Sequence, residues 1–349
     1  MRVLLDVMGG DNAPAELVKG GLEAAQAYAG AQIVMIGDET AIRSCATENG
    51  LDLTGANIEI VHASQVIDME DNALSVVREK TDSSMAVGLR MLAEGQGDVF
   101  VSAGNTGALH AGSTLIVRRI RGIRRSAIAS VLPFERPTLL IDSGANVEVD
   151  PVHLQQFGMI GSIYMNKLFG IPEPAVGLLN NGTEPEKGGK LQREAHALME
   201  KDENIRFVGN VEGKAALFGV CDVLVTDGYT GNIFLKTVEG VSVFMMKKVK
   251  GVLTRNPLTM LSSLPMKRGL QELKNSFDAS EYGGAPLLGL TKPVIKTHGS
   301  SDAREVKNAI RQAINFAETG VIAEIARRLK KQEDNRSDAT PSEDSAAQD

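Results

Sequence analysis

Tryptophan is absent from this 349-residue chain, and aromatic residues make up only 4% of it. Single-stranded nucleic acids are held largely by stacking bases on aromatic rings, and duplexes by basic surfaces. The aromatic shortage and a net charge of −7 therefore weigh against a nucleic-acid partner. Cysteine is nearly missing too: Cys45 and Cys221 stand far apart and form no CxxC pair. A disulfide framework and a thiolate zinc site are not expected, and a reducing cytosol is the natural compartment. No run of about 18 apolar residues occurs, so no membrane-spanning helix is expected. The opening MRVLLDVMGGD reads as a strand entering a polar glycine loop, not as a signal peptide. HExxH is lacking and the five histidines are scattered. No GxGxxG follows the first strand, and GNVEGK at 209–214 is too tightly spaced for a phosphate-binding P-loop. Neither a metal nor a cofactor is expected.

What is present is alternation. Short apolar, β-branched runs lie at 3–7, 32–36, 58–61, 98–102, 127–132, 138–141, 175–179, 205–208, 223–226 and 294–296. Helical-period stretches separate many of them, among them 14–28, 83–93, 151–168 and 183–200. This order predicts an α/β fold with a mainly parallel sheet covered on both faces. Residues 1–330 read as a single domain. A long helical stretch at about 230–276, broken near Asn256-Pro257 and Leu264-Pro265, reads as a protruding helical hairpin. Two helices at 302–317 and 321–330 close the domain, and the polar, acidic residues 331–349 read as a disordered tail.

Small polar loops follow six of the strands: DVMGGDNAP from Asp6, SAGNTG from Ser102, DSGAN from Asp142, NNGT from Asn180, TDGYTGN from Thr226 and HGSSD from His298. Glycine lets backbone N–H groups approach an anion, and a following helix adds free N–H groups and a positive dipole end. Any one loop reads first as a turn or helix cap. Six of them converging on one sheet edge point to a site for a phosphate or an oxyanion.

The segments MGGDNAPAE, TDSSM, VSAGNTGAL, DSGANVEVDPVHLQQF, GLLNNGTEPEKGG, GNVEG, VTDGYTGNIFLKTVEG and SEYGGAPLLGLTKPVIKTHGSSDAREVKNAI, in this order, resemble the phosphate acyltransferases of bacterial phospholipid synthesis. The likeness covers roughly residues 1–330. Its departures are His110, Ser143 and Asn181, where the family's usual residues are apolar. The resemblance implies a Rossmann-like α/β/α sandwich similar to the isocitrate and isopropylmalate dehydrogenases. It also implies a homodimer that makes acyl phosphate from long-chain acyl-(acyl carrier protein) and inorganic phosphate. A membrane-bound glycerol-3-phosphate acyltransferase would consume the product.

Such a reaction needs little acid–base equipment, because phosphate is already an anionic nucleophile and a thiol of pKa about 8.5 leaves readily. The protein must supply position and oxyanion stabilisation. By resemblance Lys187, in the first turn of the 183–200 helix, and Asn232, in the loop before the next helix, carry the chemistry. Asn12, Ser102, Asn105, Thr106, Asn146, Asn180 and Thr183 would line the phosphate and acyl-carbonyl pocket, with His298 as a polar partner. Cys221, beside an apolar strand and far from any histidine in sequence, reads as a buried structural thiol rather than an acyl-enzyme nucleophile. Five arginines and no acid lie at 118–125; Arg118, Arg121 and Arg124 would receive the acidic carrier protein, or else form a solvated basic turn or pair at a dimer interface. Between 243 and 274 seven bases meet one acid among many aliphatics. Leu258 and Leu261 would there touch an anionic membrane surface, or pack on a partner subunit. That would make the protein cytoplasmic and peripherally membrane-associated. Two other readings share these features: a nicotinamide-dependent decarboxylating dehydrogenase, disfavoured by asparagine-rich loops, and a non-catalytic scaffold for lipid-synthesis enzymes.

Overall fold

The computed structural model describes residues 1–55, 57–256, 259, 266, 268–269 and 282–338. In chain order the strands are β1 (Arg2–Asp6), β2 (Gln32–Gly37), β3 (Ile58–His62), β4 (Val99–Ser102), β5 (Ala127–Pro133), β6 (Pro137–Ile141), β7 (Ala175–Asn180), β8 (Arg206–Glu212), β9 (Val223–Val225), β10 (Ala285–Leu288) and β11 (Val294–Lys296). The helices are α1 (Ala15–Ala27), α2 (Glu39–Glu48), α3 (Ser75–Arg78), α4 (Ser84–Ala93), α5 (Thr106–Gly112) with a π-helical turn after it, α6 (Pro151–Phe169), α7 (Lys190–Glu200), α8 (Gly213–Ala216), α9 (Gly228–Leu253), α10 (Ala303–Glu318) and α11 (Val321–Asp338).

One 11-stranded sheet runs in the order β3-β2-β1-β4-β11-β10-β5-β6-β9-β7-β8. Consecutive buried residues such as Val3, Leu4 and Leu5, or Ile33 to Ile36, give β1 and β2 apolar groups on both faces. Strands of that kind need cover on both sides, and the crossover helices supply it. Local signals set the helix ends. α6 begins at Pro151, with the His153 ring accepting the Asp150 N–H at 2.8 Å, and it stops at Gly170, whose φ of 67° is left-handed.

Strand direction changes in the middle of the sheet. β2, β1, β4 and β11 are mutually parallel, as are β6, β9, β7 and β8. Between them β11–β10, β10–β5 and β5–β6 are all antiparallel, so the two parallel blocks point opposite ways. The expected mainly parallel α/β sandwich is therefore present, but the six polar loops do not gather at one edge. Those after β1, β4 and β11 leave one end of the strands, and those after β6, β7 and β9 leave the other.

The cores follow the same division. On one face a continuous core runs from Leu5 and Met35 through Ala129 to Leu139, Val176 and Val225. On the other face two separate cores form, one around Leu4, Phe100 and Ile128, the second around Leu132, Leu140 and Leu224. β10 escaped the sequence reading because Gly283, Gly284, Pro286 and Gly289 give its surroundings the composition of a loop. β8 runs on to Glu212, past the expected end at 208. The helix expected from residue 183 begins only at Lys190, because Pro185, Gly188 and Gly189 break its first turns. The closing helix continues beyond residue 330 to Asp338. Most of 257–281, with Leu258 and Leu261, and residues 339–349 lie outside the described residues. Among those described, no helix is long and apolar enough to cross a membrane.

α9 is 26 residues long, and only Gly228 and Gly231 are buried in it. Its first turn is pressed onto the loop after β6: a Cβ on Gly231 would lie 1.9 Å from the Asp142 carbonyl oxygen, and one on Gly228 would lie 2.7 Å from that of Asn146. Backbone, not a yielding side chain, occupies that space. Gly231→Ala is therefore expected to destabilise the fold by about 1–3 kcal/mol, the scale of overpacking, measured by urea unfolding. A variant that unfolds at the wild-type midpoint would contradict this backbone contact.

Candidate active site

A cavity of about 710 Å³ opens on the divided face. β5 makes its floor: Ile128 belongs to one core, Leu132 to the other, and Ser130 sits between them at the bottom of the cleft. A small polar residue there leaves the gap unfilled. The Ser130 and Ser143 hydroxyls lie 2.9 Å apart, and Ser143 Oγ also donates to the Ile128 carbonyl at 3.1 Å. Ser143 thus stands on the floor of the cavity.

α9 forms one wall. Asp227 caps it, accepting the Thr230 N–H at 2.8 Å and the Thr230 hydroxyl at 2.7 Å. This fixes the first turn, where Asn232 Nδ2 donates to the Ser143 carbonyl at 3.3 Å and lies against Gly144. One turn on, Lys236 Nζ pairs with Glu239 at 2.8 Å and lies 3.4 Å from His298 Nε2. α9 therefore spans the two ends of the sheet, carrying the cavity from the β6 loop to the β11 loop.

The facing wall is residues 296–301. Lys296, the last residue of β11, is buried, and its Nζ donates to the carbonyls of Ala103, at 3.2 Å, and Thr297. Burial pulls its pKa down to about 8 although the charges of Asp6 and Asp11 favour the ammonium. His298 Nδ1 meets the Ser300 hydroxyl at 2.8 Å, and the Thr297 and Ser301 hydroxyls lie 2.7 Å apart.

The structure brings together Thr106, Asn232 and His298 on this cavity and leaves the other expected residues off its lining. Asn12 Nδ2 holds the carbonyls of Ser300, at 2.9 Å, and Ser301, at 3.3 Å. Ser102 is buried, donating to Asp6 at 2.7 Å. Asn105 caps α5 through the Ala108 N–H and ties down the carbonyls of Asp68, Met69 and Asp71. Asn146 donates to Ser126 and Asp142, and Asn180 to the Lys187 carbonyl. Their amides are occupied in fastening loops to one another. Thr183 and Lys187 are exposed on the loop before α7, with the Lys187 chain beside Gly182.

Arg118, Arg121 and Arg124 lie exposed on a turn anchored by buried Ile120 and Ile123. His110 is largely buried against Ser126, and burial lowers its pKa, favouring the neutral ring. Cys221 is buried, and burial beside Asp222 pushes its thiol up to about 12, which keeps it protonated and unreactive at neutral pH. The sequence reading missed Lys296, Lys236 and Ser130. For Lys296 a signal existed: a charged residue ends an apolar strand immediately before a polar loop.

The fold is that of the phosphotransacetylases. A phosphotransacetylase from Streptococcus pyogenes superposes with a TM-score of 0.59 at 16% identity, over 90% of this chain and 94% of that one. The EutD phosphotransacetylase from Staphylococcus aureus gives 0.58 at 18% identity, over 91% and 94%. Sequence narrows this class. Residues 1–324 match the family described as "Fatty acid synthesis protein". The phosphate acyltransferase of Thermoanaerobacter pseudethanolicus is 43% identical over 97% of this chain and 100% of its own length. Those of Acetivibrio thermocellus and Bacillus subtilis are 45% and 41% identical, over 93% and 95% of this chain and 95% and 99% of theirs. The chain belongs to this family of acyltransferases, the phosphate acyltransferases of fatty acid and phospholipid synthesis.

Proposed function

We propose that this enzyme converts long-chain acyl-(acyl carrier protein) and inorganic phosphate into acyl phosphate and free carrier, reversibly, at the first step of phosphatidic acid synthesis. One observation carries the reading: a cavity whose floor joins aliphatic side chains to hydroxyls, with the amide of Asn232 held at one end by a capped helix. In the forward step an oxygen of hydrogen phosphate attacks the thioester carbonyl carbon, a C–O bond forms and the C–S bond breaks. The proton of hydrogen phosphate passes to the departing thiolate. No electron carrier is needed, and charge and atoms balance.

Asn232 is the donor to the carbonyl oxygen as it becomes an oxyanion. Lys187, on the β7 loop beside the β9 strand that leads into Asn232, adds positive charge to the same carbonyl when the carrier-bound thioester is seated. The occupied asparagines, Asn12, Asn105, Asn146 and Asn180, set loop positions rather than touch substrate. Asn232→Ala or Lys187→Ala is expected to lower turnover by about 10²-fold, the scale for losing an oxyanion donor, with melting temperature retained. Wild-type turnover in either folded variant removes that residue from the mechanism.

The acyl carrier protein is acidic, and the Arg118–Arg121–Arg124 turn is a basic surface on an otherwise acidic chain. Reversing charge at Arg121 and Arg124 is expected to raise the KM for acyl carrier substrate, while salt weakens the wild type toward the variant. An unchanged KM at low salt would count against carrier docking there.

A homodimer would cover the exposed Ile233, Val241, Phe244 and Met245 of α9. Beyond them Lys247, Lys248, Lys250 and Arg255 lead toward Leu258 and Leu261, which would rest on anionic membrane. There the membrane-bound glycerol-3-phosphate acyltransferase takes up a poorly soluble product. Leu258→Glu with Leu261→Glu is expected to abolish sedimentation with anionic liposomes while leaving dimers and soluble activity intact. Dissociation into monomers would assign those leucines to the subunit interface instead.

A further inference from the structure

A buried ammonium group needs a counter-charge, because stripping water from an unpaired ion costs several kcal/mol even after relaxation. Lys296 is only 9% exposed. Its Nζ donates to two neutral carbonyls, of Ala103 and Thr297, and among the described residues no carboxylate lies within 4.0 Å of it. Among the described residues its third N–H has no acceptor. The nearest charges leave the deficit in place. Asp6, two strands away across β4, has its carboxylate engaged by the Ser102 hydroxyl and the Met8 N–H. Lys236 is already paired with Glu239. At the start of the helix that follows, Glu16 accepts the Ala303 N–H and Asp302 that of Glu305, so these two groups are already taken. Asp6 and Asp11 favour its charge from a distance, so among the described residues Lys296 is a cation of the cavity wall with no carboxylate in ion-pair contact.

We propose that Lys296 is the phosphate-binding residue: its Nζ receives the inorganic phosphate that attacks the thioester, at the end of the cavity opposite the Ser143–Asn232 contact. The inference rests on the acyl phosphate reaction proposed above and assigns its second substrate a position. The geometry suits that role. Asn232 and Lys236 are four residues apart on α9, hence stacked one turn, about 5.4 Å, along it. Lys236 reaches His298, two residues beyond Lys296. Lys296 and Asn232 line the same cavity, linked along its wall by Lys236 and His298. Hydroxyls of Thr297, Ser300 and Ser301 surround that end as neutral donors. Asp11, whose backbone N–H is bonded to the Gly299 carbonyl at 2.7 Å, lies on the same lining, where its carboxylate can relay the single proton of hydrogen phosphate onward to the departing thiolate.

The two carbonyl bonds also allow a purely structural role, tying β11 to the loop after β4, and the experiment separates the two. Lys296→Met and Lys296→Arg are assayed with acyl carrier substrate while inorganic phosphate is varied, and each protein is melted with and without phosphate. Lys296→Met is expected to raise the phosphate KM about tenfold or more, the scale of a lost charge-assisted hydrogen bond, with the KM for acyl carrier within about twofold. It should also lose the rise in melting temperature that phosphate gives the wild type, and Lys296→Arg should recover part of both. If Lys296→Met fails to fold, Lys296→Gln takes its place in the same measurements. An uncharged variant that keeps the wild-type phosphate KM and the full phosphate-induced thermal shift overturns the proposal, whatever its melting temperature alone. The two readings fail separately. Wild-type protein that makes no acyl phosphate, yet shows a thermal shift with phosphate that depends on Lys296, refutes the reaction and keeps the site.

Discussion

The reversal of strand direction across β10, β5 and β6 is the constraint on which the rest of the molecule depends. Parallel strands need covering helices on both faces, and each parallel block brings its own. On one face α6, α10 and α11 close over the junction and the aliphatic core is unbroken. On the other face the described residues form two separate cores, and the gap between them is the cavity. The site is thus a by-product of topology, occupied by small polar residues because nothing large is needed to complete a core there.

That origin explains why so many polar side chains near the site face each other rather than the cavity. At each end of the sheet, amide groups fasten neighbouring loops to one another. Asn12 connects the β1 loop to the β11 loop, Asn105 holds the β4 loop to residues 68–71, and Asn146 fixes the loop after β6 to Ser126. Glycines allow the final approach of α9 to Asp142 at backbone distance. A few groups then remain to meet a substrate, and these have their positions set by neighbours that do not touch it.

Much of the fold was legible in the sequence. Ten of the observed strands fell where β-branched runs had suggested them, apart from their ends, and α1, α4 and α6 followed from apolar periodicity. The direction of the strands was not legible. Local composition does not distinguish a parallel neighbour from an antiparallel one, and β10, whose Gly-Gly-Ala-Pro surroundings read as loop, is the element that makes the reversal. For the site, the glycine–asparagine loops were visible but their division between two ends was not. Asn232 was readable as part of a capped helix start. Lys296 carried a signal, a charge ending an apolar strand before a polar loop, but its burial without an ion-pair partner is a property of three-dimensional surroundings alone. The chemistry assigned to Lys187 came from family resemblance and had no local signature in a stretch of alternating acids and bases.

The hydroxyl pair on the cavity floor has a property of its own. Ser143 can direct its proton to the Ile128 carbonyl, in which case Ser130 donates to Ser143. Turned the other way, Ser143 donates to Ser130 and the Ser130 proton is released toward the open space above it. The two arrangements differ by rotation about two C–O bonds, with every heavy atom in place. The floor therefore has two proton orders, one offering a lone pair and the other a donor, and a guest selects between them by its own polarity. The polarity of this part of the cavity floor is thus reversible on the timescale of a hydroxyl rotation.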